Sequence, residues 1–306
     1  MGKGWAWFFG AVLMATFLIW FVAPFYAWWL PENISSYGGA IDNLFYVILG
    51  FTGFFFILTE VVMVYAMAKF AYRPGEKATY THGNHRLELL WTAVPAAILL
   101  FIAFAQINVW SNIKYRSRMP APDLTLSVTA RQWEWRMRYP ARTDQFKFDE
   151  SDTRDRVAKE RQARAWAETS QIDDVHDTNA VHCWKGANVK VWLQTRDVIH
   201  SFTMPNLRIK QDTLPGKTIP MWFKATKSNA RFVVTDPKTG EGRLEEPGDK
   251  TLAWEITCQE LCGGRHYAMR GRLYVHESRE SYEAWLRWAS RRQHQREPDK
   301  GLAMTN

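Results

Sequence analysis

Four side chains suited to binding a soft metal fall within twelve residues: Cys258, Cys262, His266 and Met269, in the run CQELCGGRHYAM. Cys262, His266 and Met269, joined by a histidine from an earlier strand, make the donor set of a one-copper electron-transfer site. His200, in the run DVIHSF that starts at Asp197, can supply that histidine. The second thiol changes the chemistry. Cys258 stands four residues before Cys262, and two thiolates on one tight loop can each bridge two metal ions. His200 and His266 can then cap the two ions, with the Met269 sulfur and the Glu260 backbone carbonyl as weaker donors. Thiolate, imidazole and thioether together select copper over magnesium or calcium, and methionine is not among the usual zinc ligands. One electron shared over two bridged ions spreads the change in charge, so little reorganises on its arrival. That suits a relay better than bond-breaking. Two other readings stay open on these residues: a Cys258–Cys262 disulfide under oxidising conditions, or zinc, with Met269 only a core residue.

Such a loop must hang from a rigid frame, and from Asp123 onward the pattern supplies one. Leu124, Leu126 and Val128 alternate with polar residues, as do Val189, Val191 and Leu193. The stretches 231–235, 251–257 and 272–275 also read as short strands between turn residues. This spacing predicts an antiparallel β-sandwich or barrel. Between about Pro140 and Ala180 the strand pattern lapses, and 152–168 reads as a charged helical insertion. Tyr282, Trp285, Leu286 and Ala289 recur at helical spacing, which predicts a short amphipathic helix. Beyond Arg291 the chain reads as a solvated tail.

The N-terminal third has a different character. The chain has 306 residues, 47% hydrophobic and 23% charged, and a net charge of +8. Residues 1–110 carry five basic and five acidic groups, so the excess positive charge lies wholly beyond them. Trp5–Leu30 and Leu89–Trp110 are uncharged runs, and Leu44–Ala68 is broken only by Glu60. Each is long enough to cross a bilayer as a helix, with Pro24 and Pro95 as kinks. The first is read as a retained helix, with a cleaved leader as the alternative. The loop 69–88 holds Lys69, Arg73, Lys77 and Arg86, whereas 31–43 has no basic residue, so the positive-inside rule exports everything after the third helix. Disorder, a disulfide-stapled scaffold and an ordinary cytosolic enzyme are excluded. The expected organisation is a membrane anchor over 1–115 (helices about 5–30, 44–68 and 89–110), an exported β-domain over 116–285 with its insertion at about 141–180, and a helix end with a basic tail over 286–306. Glu60 would lie about 13 Å inside the membrane, where an ionisable group is functional by default or pairs with another helix. His82 and His85 fall in the cytoplasmic loop, and Cys183 reads as a buried lone thiol.

From about Leu44 to Trp285 the chain resembles subunit II of the haem–copper cytochrome c oxidases. The resemblance is carried by the helical hairpin, the aromatic run Gln132-Trp133-Glu134-Trp135, the Asp197–His200 segment, the run QDTLPG over 211–216 and the cysteine loop. It implies a cupredoxin fold for the exported part and a dinuclear Cu(A) centre on His200, Cys258, Glu260 (carbonyl), Cys262, His266 and Met269. It also implies a magnesium or manganese ion shared with subunit I through the Glu260 side chain. Trp133 matches the residue that receives electrons from cytochrome c, Glu88 the acid at the mouth of a proton path, and Asp197 an acid that docks the donor. The implied role is an electron-transfer subunit of a proton-pumping terminal oxidase, not catalytic alone. Its partners would be subunit I, subunit III and a cytochrome c or other cytochrome donor, in the inner (plasma) membrane with the β-domain outside. No nucleic-acid partner is expected. A quinol oxidase subunit II and a membrane-anchored copper-binding protein are the alternatives. The chain departs from the family pattern in its extra first apolar segment, in Glu134 and Arg270, and in the insertion. It has no CxxCH run, so no fused haem c domain is expected. Its exported half is net basic, whereas family members often offer acids to a basic donor. Asp144, Asp149, Asp173, Asp174 and Asp177 are the candidates for a local acidic patch.

Overall fold

A computed structural model describes residues 4–26, 30–77, 79–80, 82–246 and 253–296, and the chain divides into two units. The first comprises Met1–Pro31 and Ala40–Trp110; the second comprises Glu32–Gly39 and Ser111–Asn306.

Three helices carry the apolar runs: α1 (Gly4–Val22), α2 (Gly38–Lys69) and α3 (His85–Lys114). All three are long and apolar enough to cross a membrane. Helix α1 is shorter than the apolar run that encodes it. It gives way to a 3₁₀ turn over Ala23–Tyr26, because Pro24 brings no N–H to the α-helical ladder. Residues 27–29 of that run lie outside the described residues. Helix α2, at 32 residues, measures about 48 Å. In a bilayer with a core of about 30 Å it would extend beyond the hydrocarbon. Pro95 is accommodated inside α3, and Glu60 lies on α2.

The second unit is built from two five-stranded sheets and a hairpin. One sheet runs in the order β3 (Val175–Thr178), β2 (Glu134–Tyr139), β1 (Leu124–Arg131), β5 (Val189–Thr195), β8 (Ile219–Phe223). The other runs β4 (Ala180–Trp184), β12 (Arg270–His276), β11 (Glu255–Cys258), β6 (His200–Met204), β7 (Ile209–Thr213). Strands β9 (Arg231–Asp236) and β10 (Glu241–Glu245) form the hairpin. Inward-facing Leu124, Leu126, Val128, Trp135, Met137, Phe202, Ile256 and Leu273 meet in one core. Two of the strand pairings are parallel, β1 with β5 and β12 with β4, so the sheets are mixed. The expected strand at 251–257 begins at Glu255 among the described residues; 251 and 252 lie outside them.

The insertion contains a helix, α4 (Thr153–Glu168). Asp152 caps it, accepting from the Arg154 and Asp155 amides at 2.8 and 3.3 Å. Trp166, Ala163 and Ala167 join Phe146 and Trp192 of β5 in a second small core on the outer face of the first sheet. That cover explains why Thr125 and Ser127, the polar positions of the alternating pattern, are also buried. The insertion then returns to the sheet as edge strand β3 against β2, where sequence alone indicates no strand. Val175 and Thr178 suit a strand but flank His176 and Asp177, which do not, so pairing with β2 makes the four residues a strand.

Two further segments differ from expectation. Glu32–Gly39, between the first two helices, belongs to the β-unit: Ile34 is fully buried in its core, exchanging backbone hydrogen bonds with Asn206 and Thr226. The C-terminal helix α5 (Arg279–Arg296) continues past Arg291, where a tail is expected; residues 297–306 lie outside the described residues. Its Trp285 stacks on His182 at 3.8 Å, with Tyr139 and Tyr282 beside it. His182 Nδ1 meets His276 Nε2 at 3.1 Å in this buried cluster. Burial holds both rings neutral, His182 well below the usual range and His276 down to about 3.

Candidate metal centre

Three pieces of chain converge at one end of the second sheet. The end of β11 delivers Cys258, the start of β6 delivers His200, and the loop from Gln259 to Met269 delivers the rest before β12 begins. A 3₁₀ turn over His266–Ala268, closed by the Met269 amide on the His266 carbonyl, turns His266 and Met269 back onto Cys262. The Cys258 amide donates to the Met269 carbonyl and the Gln259 amide to the Ser201 carbonyl, which ties the loop to its own ends and to β6.

The donor atoms lie close together. Cys258 and Cys262 are free thiols with their sulfurs 3.8 Å apart. His200 Nδ1 is 3.9 Å from the Cys258 sulfur and 3.2 Å from the Met269 sulfur. His266 Nδ1 is 3.5 Å from the Cys262 sulfur, which lies 3.8 Å from that of Met269. The Glu260 carbonyl oxygen is 3.3 Å from the Cys258 sulfur, while its side chain belongs to an exposed residue. His200, Cys258, Cys262 and Met269 are buried; His266 is half-buried. Unbonded sulfurs at this separation, each with an imidazole nitrogen within 4 Å, are a donor set suited to soft metal.

Electrostatics make the same point. Burial opposes charge on Cys258, but the His200 ring and nearby hydrogen bonds bring its thiol below the ordinary value. Burial, and then the charge of Cys258, push the Cys262 thiol up. One thiolate forms readily and resists the second. Cations bound between the sulfurs would remove that resistance, so binding would release protons.

The histidines are oriented from behind. His200 presents Nδ1 to the sulfurs because its Nε2 is held at 2.8 Å by the Asp197 carboxylate. The other Asp197 oxygen accepts from the Gln132 amide at 2.7 Å. Although burial works against it, these partners and the Val198 amide keep the Asp197 carboxyl below its usual range. Asp197 is therefore a positioning residue for His200, a role sequence reasoning missed although the three-residue offset from His200 was its signal. Trp135 packs edge-on to His200 and Phe202, at 6.1 and 5.1 Å between rings. Asp197→Ala is expected to weaken metal binding about 10- to 100-fold, measured by competition with a chelator. An unchanged affinity would mean that packing alone orients His200.

Trp133 lies against the ligand loop. Gln132 donates from Nε2 to the Cys262 carbonyl at 2.8 Å. A side chain at Gly263, whose φ is +118°, would meet the Gln132 amide at 2.9 Å and the Trp133 indole at 3.3 Å. Glycine there lets the indole approach the backbone next to Cys262. Glu88 stands elsewhere, in the first turn of α3 in the other unit, with Asn84 accepting from the Leu87 amide at the helix start. Cys183 is buried and free, away from the sulfur pair, with its thiol pushed up by burial.

Residues 25–109 match the family model described as the transmembrane domain of cytochrome c oxidase subunit II, and residues 124–234 match its periplasmic domain. Together they span more than half of the chain. The second match takes in Trp133, Asp197 and His200; the cysteine loop follows it. The alternative cytochrome c oxidase subunit 2 of Bradyrhizobium diazoefficiens is 28% identical over 279 residues, covering 90% of this chain and 87% of that protein. The cytochrome c oxidase subunit 2 of Cereibacter sphaeroides is 30% identical over 244 residues, covering 76% and 70%. Among solved structures, the periplasmic domain of cytochrome oxidase subunit II from Bradyrhizobium japonicum aligns with a TM-score of 0.35 at 24% identity, covering 57% of this chain and 98% of that one.

Proposed function

The chain belongs to the cytochrome c oxidase subunit II family, and from that premise we propose that His200, Cys258, Cys262, His266, Met269 and the Glu260 carbonyl hold two copper ions. It is the electron-transfer subunit of a terminal oxidase complex, a membrane protein with a periplasmic domain and a copper-binding family fold. The two-ion reading rests on one observation above others: two free sulfurs 3.8 Å apart, with one imidazole nitrogen beside each. Bound there, the copper pair would supply one-electron relay chemistry between a donor protein and the haem of subunit I.

The residues around the pair serve that role by holding still and excluding water. His200 and Met269 are almost fully buried, and Trp135 packs edge-on to the His200 ring. A dry, rigid shell keeps the dielectric low and limits rearrangement when charge changes. His266 is the least buried of the side-chain donors. Trp133 is the residue at which electrons arrive, supported by its indole lying against the backbone next to Cys262. The exposed Glu260 carboxylate is the ligand for a magnesium or manganese ion shared with subunit I. Glu88 opens the proton path, and subunits I and III pack against the apolar helices in the inner membrane. Glu32–Gly39 lies in the same unit as the chain after α3, as export of both requires. A quinol oxidase subunit would not need this donor set, and a metal carrier would not need the three helices.

The test is copper analysis with electron paramagnetic resonance on the purified oxidase complex. Two coppers per chain at this site, sharing one unpaired electron, are expected. A spectrum of one isolated copper, or zinc in the assay, would overturn the assignment.

A further inference from the structure

The surface beside Trp133 is basic. Gln132 and Trp133 form a two-residue turn between Arg131 and Glu134, the last facing pair of the β1–β2 ladder. The Glu134 carboxylate is claimed twice, by Arg131 Nε and Arg136 Nε at 2.6 Å each. Strand β5 ends beside the same turn, where the Arg196 amide donates to the Ala130 carbonyl. Arg131, Arg136 and Arg196 line one hollow of about 520 Å³, walled by the C-terminal end of α4 at Ala167 and Glu168. Among the described residues the exposed Arg196 guanidinium has no carboxylate partner, and Glu168 is engaged by Arg164 and Thr218.

Among the described residues, Glu168 is the only carboxylate that lines the hollow. Asp197 keeps its charge beside the turn, hydrogen-bonded to His200 and the Gln132 amide, but it does not line the hollow. Asp174 is buried against Arg138, and Asp177 does not line the hollow. Arg131 and Arg136 share Glu134, Arg164 matches Glu168 and Asp174 matches Arg138, so the lining of the hollow keeps an excess of positive charge, with Arg196 unmatched among the described residues. A guanidinium fork suits a carboxylate, which it can bind through two parallel hydrogen bonds.

We propose that this arginine-lined hollow receives carboxylate side chains of the electron-donating protein, so that the donor's docking face is acidic rather than lysine-rich. The inference rests on Trp133 being the electron-accepting residue. It also gives the insertion a task, since α4 builds the wall of the hollow. Complementary charge acts mainly on the encounter rate, and raises it about 10- to 1,000-fold at low ionic strength.

The experiment follows oxidation of two reduced c-type cytochromes of similar potential by the intact oxidase complex, one acidic and one lysine-rich at its haem edge. The acidic donor should react at least about tenfold faster at low salt, with the advantage shrinking as salt rises toward about 200 mM. Arg196→Glu should remove that advantage, and Arg196→Lys should retain most of it. Faster reaction of the lysine-rich donor at low salt would overturn the inference, as would an unchanged acidic-donor rate in Arg196→Glu. Copper resonance and reduction through a small neutral mediator are read on every sample. A complex without the copper signal would sink the functional reading itself, whereas an intact signal with the wrong donor preference sinks only the docking surface.

Discussion

Cys258→Ser should abolish the shared-electron copper signal and lower donor oxidation by the complex more than about a hundredfold. Serine keeps the size of cysteine but offers a hard neutral hydroxyl where a soft, readily ionised thiol stood. That thiol touches the Cys262 sulfur, the His200 ring and the Glu260 carbonyl, so its loss disconnects both halves of the donor set. The fold should survive, because the Cys258 amide remains free to donate to the Met269 carbonyl. Far-ultraviolet circular dichroism of the variant is expected to match the parent. Cys183→Ser is the control: it removes an equally buried thiol outside the cluster and should leave the copper count intact. A Cys258→Ser complex that keeps two coppers and the shared spin would refute the bridging role.

The donor set was legible in sequence because nearly all of it sits on one short loop. With Cys258, Cys262, His266 and Met269 confined to twelve residues, little freedom remains in how their atoms can meet, and only His200 had to be brought from afar. The alternating residues of β1 and β5, and the helical spacing of Tyr282, Trp285 and Leu286, were legible for a similar reason: each pattern is local and repeats. What escaped is non-local. Asp197 is read naturally as a surface acid until its carboxylate is seen behind His200. Ile34 looks like part of a short loop between membrane helices, yet it fills the β-core, because partners some 170 to 190 residues away accept and donate its backbone hydrogen bonds. Strand β3 is only four residues long, with His176 and Asp177 at its centre, and exists because β2 offers a free edge. Burial of Thr125 and Ser127 depends on α4 lying over them, which no period-two pattern can encode.

Arg138→Ala should destabilise the β-unit by about 3–5 kcal/mol, more than any exposed ion pair of the chain. Arg138 stands on β2 beneath the end of α4. Its guanidinium donates to Asp174 at 2.5 Å, and to the carbonyls of Trp166, Ala167 and Thr169 at 2.6, 2.9 and 3.1 Å. It also lies 4.3 Å from the centre of the Trp166 ring. These carbonyls close the C-terminus of a helix, where backbone acceptors lack partners and the dipole favours a cation. Alanine would take the guanidinium from all three and leave the charge of a carboxylate that is 1% exposed unpaired, although the Trp166 carbonyl would still accept from the Thr169 amide. Gln194 would still donate to Ala167, and Asp174 would keep the Trp166 indole and the Gln171 amide, so the insertion should loosen before the sheet does. Urea unfolding of the exported unit measures the loss, and proteolysis within 141–174 should quicken first. Adding Asp174→Asn to Arg138→Ala removes the orphaned charge, although the single amide oxygen of asparagine can accept from only one of the Trp166 indole and the Gln171 amide, which now use different Asp174 oxygens. That double variant should recover part of the stability but not all of it, because the helix carbonyls still lack the guanidinium and one donor to residue 174 loses its acceptor. A single-variant loss below about 1 kcal/mol would mean that water replaces the guanidinium freely, and that the arginine does not anchor the insertion.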